Sequence, residues 1–426
     1  MCTTTMDKLG HMVYEKDDLL YRYKGVVAVP TLMMVDDILG VQKCSNSSVK
    51  MNSVINSFIE MKKLTLSSKK CSKIHIGKNN ACCPDLKVHG EKMKTSLKEK
   101  YLGDQITHHG NNKATIEDRV SKGVGIVTEI IAILDDVPLG QYRVEMGLKL
   151  RQAMLLNGLL FNSEGWHAVT KVDIRKLEKV DEILLRSLLQ CHPKTPLEFL
   201  YLETGSMPIR HILSLRRTNY LKTLLMRDEE ELTKQILQEQ QQNTSPGDFW
   251  ELVSDDLKLL GHNYNEEFIS NSGSNKYKTH MKHLTRVAAF NELIDIKNEH
   301  TKVKNIDYKK FETQPYLSSA MFTNEDVSIL ASLRSHTTRG IRNNFRKLYK
   351  NNTDCPLNCQ LPGAPPFQDT QQHLLVCSKL ALPSTIIAHT QIKYDDIYGD
   401  TGKQIEVVSV YKQLLHTRNS LLEAIS

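Results

Sequence analysis

The sequence predicts an α+β protein with a mixed N-terminal quarter, a long helical middle and a small cysteine–histidine knuckle near the C-terminus. Three observations carry this. Short β-prone apolar runs at 26–29, 32–35 and 38–41 crowd the first part of the chain. From about 115 to 350, apolar residues recur at helical spacing, as in Leu177, Val180, Leu184 and Leu188, or Leu221, Leu224 and Leu225. Cys355, Cys359, His373 and Cys377 then fall in the pattern C-x3-C-x13-H-x3-C.

Taken in order, the chain opens with a short helical segment over 6–14. The β-prone runs follow, interrupted by Pro30. Two of them flank Asp36-Asp37 and read as a hairpin with the acids at its tip, although the usual turn glycine is absent. Residues 47–65 read as a helix with Val54, Ile55, Phe58, Ile59 and Met61 on its apolar side. A strand is expected at 73–77 and a turn or strand at Tyr101-Leu102-Gly103. In the middle, the acidic, glutamine-rich stretch 228–243 reads as the solvated end of a helix. Ser245-Pro246-Gly247-Asp248 reads as a turn and helix start, and 271–275 as a loop before a polar helix to about 299. Trp166, Phe199 and Tyr201 are expected in the core.

Composition is that of a globular protein, 40% hydrophobic and 25% charged. No apolar run approaches the roughly 18 residues of a membrane span, and Met1-Cys2-Thr3-Thr4-Thr5 is no secretory leader. A cytoplasmic or nuclear setting is expected, with no membrane partner and with Cys2, Cys44, Cys71, Cys82, Cys83 and Cys191 as free thiols. The net charge of +7 is concentrated. Between Lys50 and Lys100 twelve lysines face four acids, which points to a polyanionic partner or to a solvated basic surface.

Paired carboxylates on a rigid turn are what two-metal phosphoryl transfer requires, because they can hold two Mg²⁺ ions roughly 3.5–4 Å apart. Asp-Asp recurs at 17–18, 135–136, 255–256 and 395–396, so the dipeptide alone selects nothing. The order of segments around 36–37 does select. Met34-Val35-Asp36-Asp37 resembles the (F/Y)-x-D-D motif of reverse transcriptases. The run Leu64-Thr65-Leu66-Ser67-Ser68-Lys69-Lys70-Cys71 resembles their L-N-x-x-K-T segment. Tyr101-Leu102-Gly103 resembles the Y-L-G of the primer grip, and residues 2–10 resemble the stretch after the template-binding glycine motif.

Together these resemble the reverse transcriptase of non-LTR (LINE-like) retrotransposons. The resemblance implies a partial polymerase palm over 1–110, a helical thumb and post-thumb region over 111–245 and a helical linker over 246–350. A zinc knuckle over 351–380 and a tail with a helix over 381–426 complete it. It implies that Asp36 holds Mg²⁺ beside the less critical Asp37, that Lys70 approaches the pyrophosphate, and that Tyr101, Leu102 and Gly103 support a DNA primer on an RNA template. Two departures stand out. Met34 replaces the family's aromatic residue, and the family's first catalytic aspartate lies upstream of the segment at which this sequence starts. The expectation is therefore an incomplete active site, and no RNA-templated synthesis by this chain alone. A non-catalytic, zinc-dependent nucleic-acid-binding module is the alternative reading.

The four knuckle residues suit a tetrahedral, closed and hence structural Zn²⁺ site. Gln368 to Cys377 also resembles the D-T-x-x-H-L-L-x-C half-knuckle at the end of many retrotransposon polymerases. Upstream of it, Arg339, Arg342, Arg346 and Lys350 fall on one side of an expected helix, opposite Ile341, Phe345 and Leu348, as either a candidate nucleic-acid-binding face or a solvated basic face over a packed apolar one. Arg210, Arg216 and Arg217 are read either as tracking a phosphate backbone or, as scattered arginines usually are, as plain surface residues. The restriction-like nuclease that the family sometimes carries after the knuckle is not expected in the 49 residues that follow Cys377, which show no clear P-D…(D/E)-x-K order.

Overall fold

Strands come first and helices afterwards in the computed structural model. It describes residues 20–29, 31–34, 37–77, 84–136, 142–338, 374–375 and 393–423. Ten short strands occupy its first part: β1 Tyr21–Tyr23, β2 Val27–Val29, β3 Leu32–Met34, β4 Asp37–Leu39, β5 Ser72–Lys73, β6 Lys87–Val88, β7 Glu91–Lys92, β8 Lys94–Thr95, β9 Lys98–Tyr101 and β10 Asp104–Thr107. They pair as two-stranded sheets, antiparallel except β5 with β8. Helix α1 (Ser45–Met61) is set among them.

The helical part comprises α2 (Lys113–Asp136), α3 (Arg143–Leu150), a π turn (Arg151–Leu155), α4 (Leu156–Leu159), α5 (Lys171–Leu189), α6 (Leu197–Thr204), α7 (Ile209–Leu225), α8 (Leu232–Gln242), α9 (Phe249–Leu259), α10 (Glu266–Asn271), α11 (Ser274–Glu299), α12 (Asn324–Arg334) and α13 (Thr401–Glu423). The architecture is α+β and mostly helical. No helix among the described residues is long and apolar enough to cross a membrane. Cys44, Cys71 and Cys191 are free thiols.

The chain forms two compact units. One comprises Met1–Asp118, Asn162–Asp173 and Leu213–Met281; the other comprises Arg119–Phe161, Ile174–Ile212 and Lys282–Ser426. In the first, α1 packs Met51, Phe58 and Ile59 beneath the β3–β4 hairpin, with Met33, Ile38, Val54 and Ile55 closing the cluster. Met33 and Ile38 are cross-strand partners, so the same face of both strands is buried. The helix ends four residues short of the expected 65, and Met61 is exposed, its place in the core taken by Met51.

Helix α8 departs further from expectation. It packs on β2 and buries Lys234, Leu237, Glu239 and Gln240. Its polar side chains are satisfied rather than solvated. Lys234 Nζ donates to the Leu225 carbonyl at 2.9 Å, and Gln240 Nε2 to the Tyr23 hydroxyl at 3.1 Å. Tyr23 and Lys24 in turn reach Asp248, at 3.3 and 2.8 Å.

In the second unit, α5 turns Leu177, Val180, Leu184, Leu185 and Leu188 into the core, and α6 buries Phe199, Leu200, Tyr201 and Leu202. The expected burial of Phe199 and Tyr201 is observed, and Trp166 is buried in the first unit. Two charged clusters lie within this second core. Asp181 receives Arg151 through two bonds of 2.6 and 2.7 Å and the Tyr201 hydroxyl at 3.2 Å. Glu203 receives Arg334 and Tyr308. Helix α6 ends at Gly205, whose φ of +61° a side chain would strain. A Cβ there would stand 2.5 Å from the Glu312 carbonyl carbon, which explains the glycine.

Candidate functional site

The acidic hairpin owes its shape to its pairing. Leu32 faces Leu39, Met33 faces Ile38 and Met34 faces Asp37, with Val35 and Asp36 between them in sequence. Both lie outside the described residues, Asp36 with its expected metal-binding role. Alternation along the strands sends Met33 and Ile38 inward, which turns Met34 and Asp37 outward. Asp37 is accordingly exposed, and Met34, at the position of the family's aromatic, is 56% exposed. The apolar contacts that hold the hairpin thus also display its carboxylate.

The Y-L-G segment forms a second hairpin. Tyr101 ends β9 and pairs with Asp104, leaving Leu102 and Gly103 as a two-residue turn with φ of 46° and 95°. Positive φ at both positions marks a type I′ turn, which matches the twist of the strands it joins. Glycine adopts this conformation freely, whereas Leu102 is held in it at a cost of order 1 kcal/mol or more.

A brace accompanies that strain. Asn162, itself left-handed at φ 58°, donates Nδ2 to the Leu102 carbonyl at 3.1 Å and to Asp104 Oδ2 at 3.2 Å. Asn162 and Asp104 escaped sequence reasoning. An asparagine's tolerance of positive φ is visible in sequence, but its partner is not.

The two hairpins meet electrostatically. Burial pushes the Tyr101 phenol up from its ordinary pKa, and the charge of Asp37 adds to the rise. Lys70 does not join them. It ends a short 3₁₀ turn (Ser68–Lys70), is exposed, and makes no ion pair or hydrogen bond with Asp37. The described residues thus place an exposed carboxylate on one hairpin within electrostatic reach of the tyrosine that leads into a strained, braced turn on the other.

The three arginines considered for a phosphate backbone are committed elsewhere. Arg217 grips Asp256 through Nε at 2.6 Å and Nη2 at 2.9 Å, both residues buried, and Ser214 Oγ adds a bond to Asp256 at 2.6 Å. Arg216 leans on Glu164 at 3.6 Å, and Arg210 pairs with Glu292. The Arg217 guanidinium is thus buried and neutralised, whereas Arg210 and Arg216 stay partly exposed beside their carboxylates.

Arg339, Arg342, Arg346 and Lys350 lie outside the described residues, as do Cys355, Cys359, His373 and Cys377. Among the described residues no group of histidine, cysteine and acidic side chains is arranged to hold a metal ion. No family model, curated protein or solved structure matches this chain.

Proposed function

We propose that this chain carries palm, thumb and knuckle segments of an RNA-directed DNA polymerase of the non-LTR retrotransposon type. The observation that carries the reading is the meeting of two motifs distant in sequence. The Asp37 hairpin and the Tyr101–Gly103 turn are close enough for the aspartate's charge to be felt by the tyrosine. A polymerase palm needs that juxtaposition, because a primer 3′ end must be held beside the carboxylates that bind metal. Asp36 would hold Mg²⁺ with Asp37 next to it; the ion would supply charge stabilisation at the transferring phosphoryl group. The chain's own part is positional: Tyr101 and the braced turn support the primer terminus.

Photocrosslinking tests this without relying on turnover. A DNA primer annealed to RNA and bearing a photoreactive 3′-terminal nucleotide is expected to crosslink within residues 98–107. The crosslink is expected to weaken severalfold in Asn162→Ala, which unbraces the turn. Crosslinks confined to the other unit, or none at all, would refute the reading.

The donor set at 355–377, three thiolates and an imidazole in two close pairs, fits one structural Zn²⁺, which would pin the knuckle and have no open position for chemistry. Elemental analysis is expected to find one zinc per chain, lost in Cys355→Ser/Cys359→Ser. Zinc content unchanged in that variant would remove the assignment.

A further inference from the structure

We infer that the cleft between helices α2, α5, α12 and α13 binds a small uncharged molecule that carries a carboxamide on an apolar frame. The cleft lies wholly within the second unit, and the inference does not depend on the polymerase reading.

Four helices and a loop build its walls. Ile131 comes from α2, Ser187 from the end of α5, Ile329 from α12 and Leu415 from α13. Residues 190–193, the loop after α5, add a further side. The volume is about 670 Å³, inside the roughly 300–1,000 Å³ of small-molecule sites, which form readily between the helices of a bundle.

Two arginines line the cleft, and their bonding decides the charge of its occupant. Arg186 is spent on its own fold. It holds Glu182 through Nε and Nη2, at 3.1 and 2.7 Å, and donates to the His192 and Thr195 carbonyls at 2.9 and 2.6 Å. Arg143, only 7% exposed, donates to the Leu134 carbonyl at 2.8 Å and pairs with Asp135 at 2.7 Å. Neither guanidinium is bare, so a charged ligand would give up water without meeting an unpaired counter-charge.

The groups left over are polar but neutral in what they ask for. Among the described residues, the side chains of Ser187, Gln190 and Asn419 have no hydrogen-bond partner, and the buried Nε of Arg143 has none either. A carboxamide both donates and accepts, so it can pair with the amides of Gln190 or Asn419 and offer a carbonyl to a free N–H. Ile131, Ile329 and Leu415 suit an apolar frame.

Gln190 carries a second sign of a built site. It follows the last residue of α5 with a φ of 48°, the left-handed conformation in which glycine usually ends a helix. Its N–H donates to the Ser187 carbonyl at 3.3 Å, and its own carbonyl accepts the Ser328 hydroxyl at 3.1 Å. A strained residue is thus pinned at the wall of the cleft, bearing a carboxamide that the helix end does not need.

Calorimetric titration of the full 426-residue chain tests this with three probes of one shape. These are hydrocinnamamide, hydrocinnamate and phenylpropylammonium, which are neutral, anionic and cationic. The amide is expected to bind, and the two ions several times more weakly. Gln190→Gly should keep or raise the thermal transition, because glycine relieves the left-handed strain. It should nevertheless lose about fivefold in affinity for the amide, the worth of one neutral hydrogen bond. Asn419→Ala, at an exposed position, should lose a similar factor. The bound amide should also slow alkylation of Cys191, which lines the cleft, and leave that of exposed Cys44 unchanged.

No binding of the amide would overturn the inference, as would equal or tighter binding of either ion. Parent affinity in Gln190→Gly, or binding without protection of Cys191, would overturn it too.

Discussion

Glu203→Ala is expected to destabilise the unit that contains it by about 3–5 kcal/mol, the range for removing one partner of a buried ion pair. Glu203 is wholly buried, and its Oε1 accepts the Tyr308 hydroxyl at 2.5 Å and two bonds from Arg334, at 3.1 and 2.9 Å. Arg334 also donates to the Ile397 carbonyl at 3.1 Å, and its guanidinium lies over the rings of Tyr316 and Tyr398. The carboxylate keeps the guanidinium charged against its own burial, and burial together with that negative charge holds the phenols of Tyr308 and Tyr316 well above their ordinary range. Losing the carboxylate leaves an arginine with no counter-charge in a core, a desolvation penalty with nothing to offset it.

A double substitution separates that penalty from the net worth of the pair. Glu203→Ala/Arg334→Met removes both charges, and its loss should be clearly smaller than the sum of the two single losses. Urea unfolding followed by far-ultraviolet circular dichroism measures all four members of the cycle. A loss below about 1 kcal/mol for Glu203→Ala would mean that the cluster is hydrated and weak. The cluster also joins α6, α12 and the 3₁₀ turn Tyr394–Tyr398, together with Tyr308 and Tyr316. The single substitution should therefore loosen the C-terminal helix before it melts the rest of the unit.

Little of this network is legible in the sequence. Glu203 and Arg334 are ordinary charged residues on helices, and nothing local says that they meet. The same holds for Arg217 and Asp256, where a residue that looks free for phosphate is spent on a partner in another helix. Patterns confined to one element read well. Helix α5 shows its buried face as Leu177, Val180, Leu184 and Leu188, and the β3–β4 hairpin shows two apolar runs around a short polar break. Helix α8 reads badly because it buries polar Lys234, Glu239 and Gln240, with Gln240 bonded to Tyr23 of the β1–β2 hairpin, and hydrophobic periodicity carries no such signal. At the candidate site, Asp37 and the Tyr101–Gly103 turn are legible as motifs. Their meeting, and the Asn162 brace, depend on how separate strands pack.

Acidification should destabilise the second unit through His211, and the sign follows from its burial. The side chain is fully buried at the start of α7, and burial, with Arg210 beside it, lowers its pKa from 6.5 to about 4. Nε2 is 3.3 Å from Glu292 Oε2, but that carboxylate is shared with Arg210 and does not restore the imidazolium. The unfolded chain binds the proton near the ordinary value while the folded protein refuses it. Stability is therefore complete above about pH 6.5 and falls as pH drops toward 4, by at most about 1.4 kcal/mol per pH unit. Between pH 7 and pH 4.5 the loss is about 2 kcal/mol. Nearby Glu178 acts in the opposite sense: burial raises its carboxyl, so its contribution is present at low pH and disappears as pH rises. Comparison with His211→Leu separates the two, because the variant retains Glu178. Its unfolding free energy should decline less than the parent's over that interval, by about 2 kcal/mol. Parallel pH profiles for parent and variant would show that the imidazole is protonated in the fold, with Glu292 as its counter-ion.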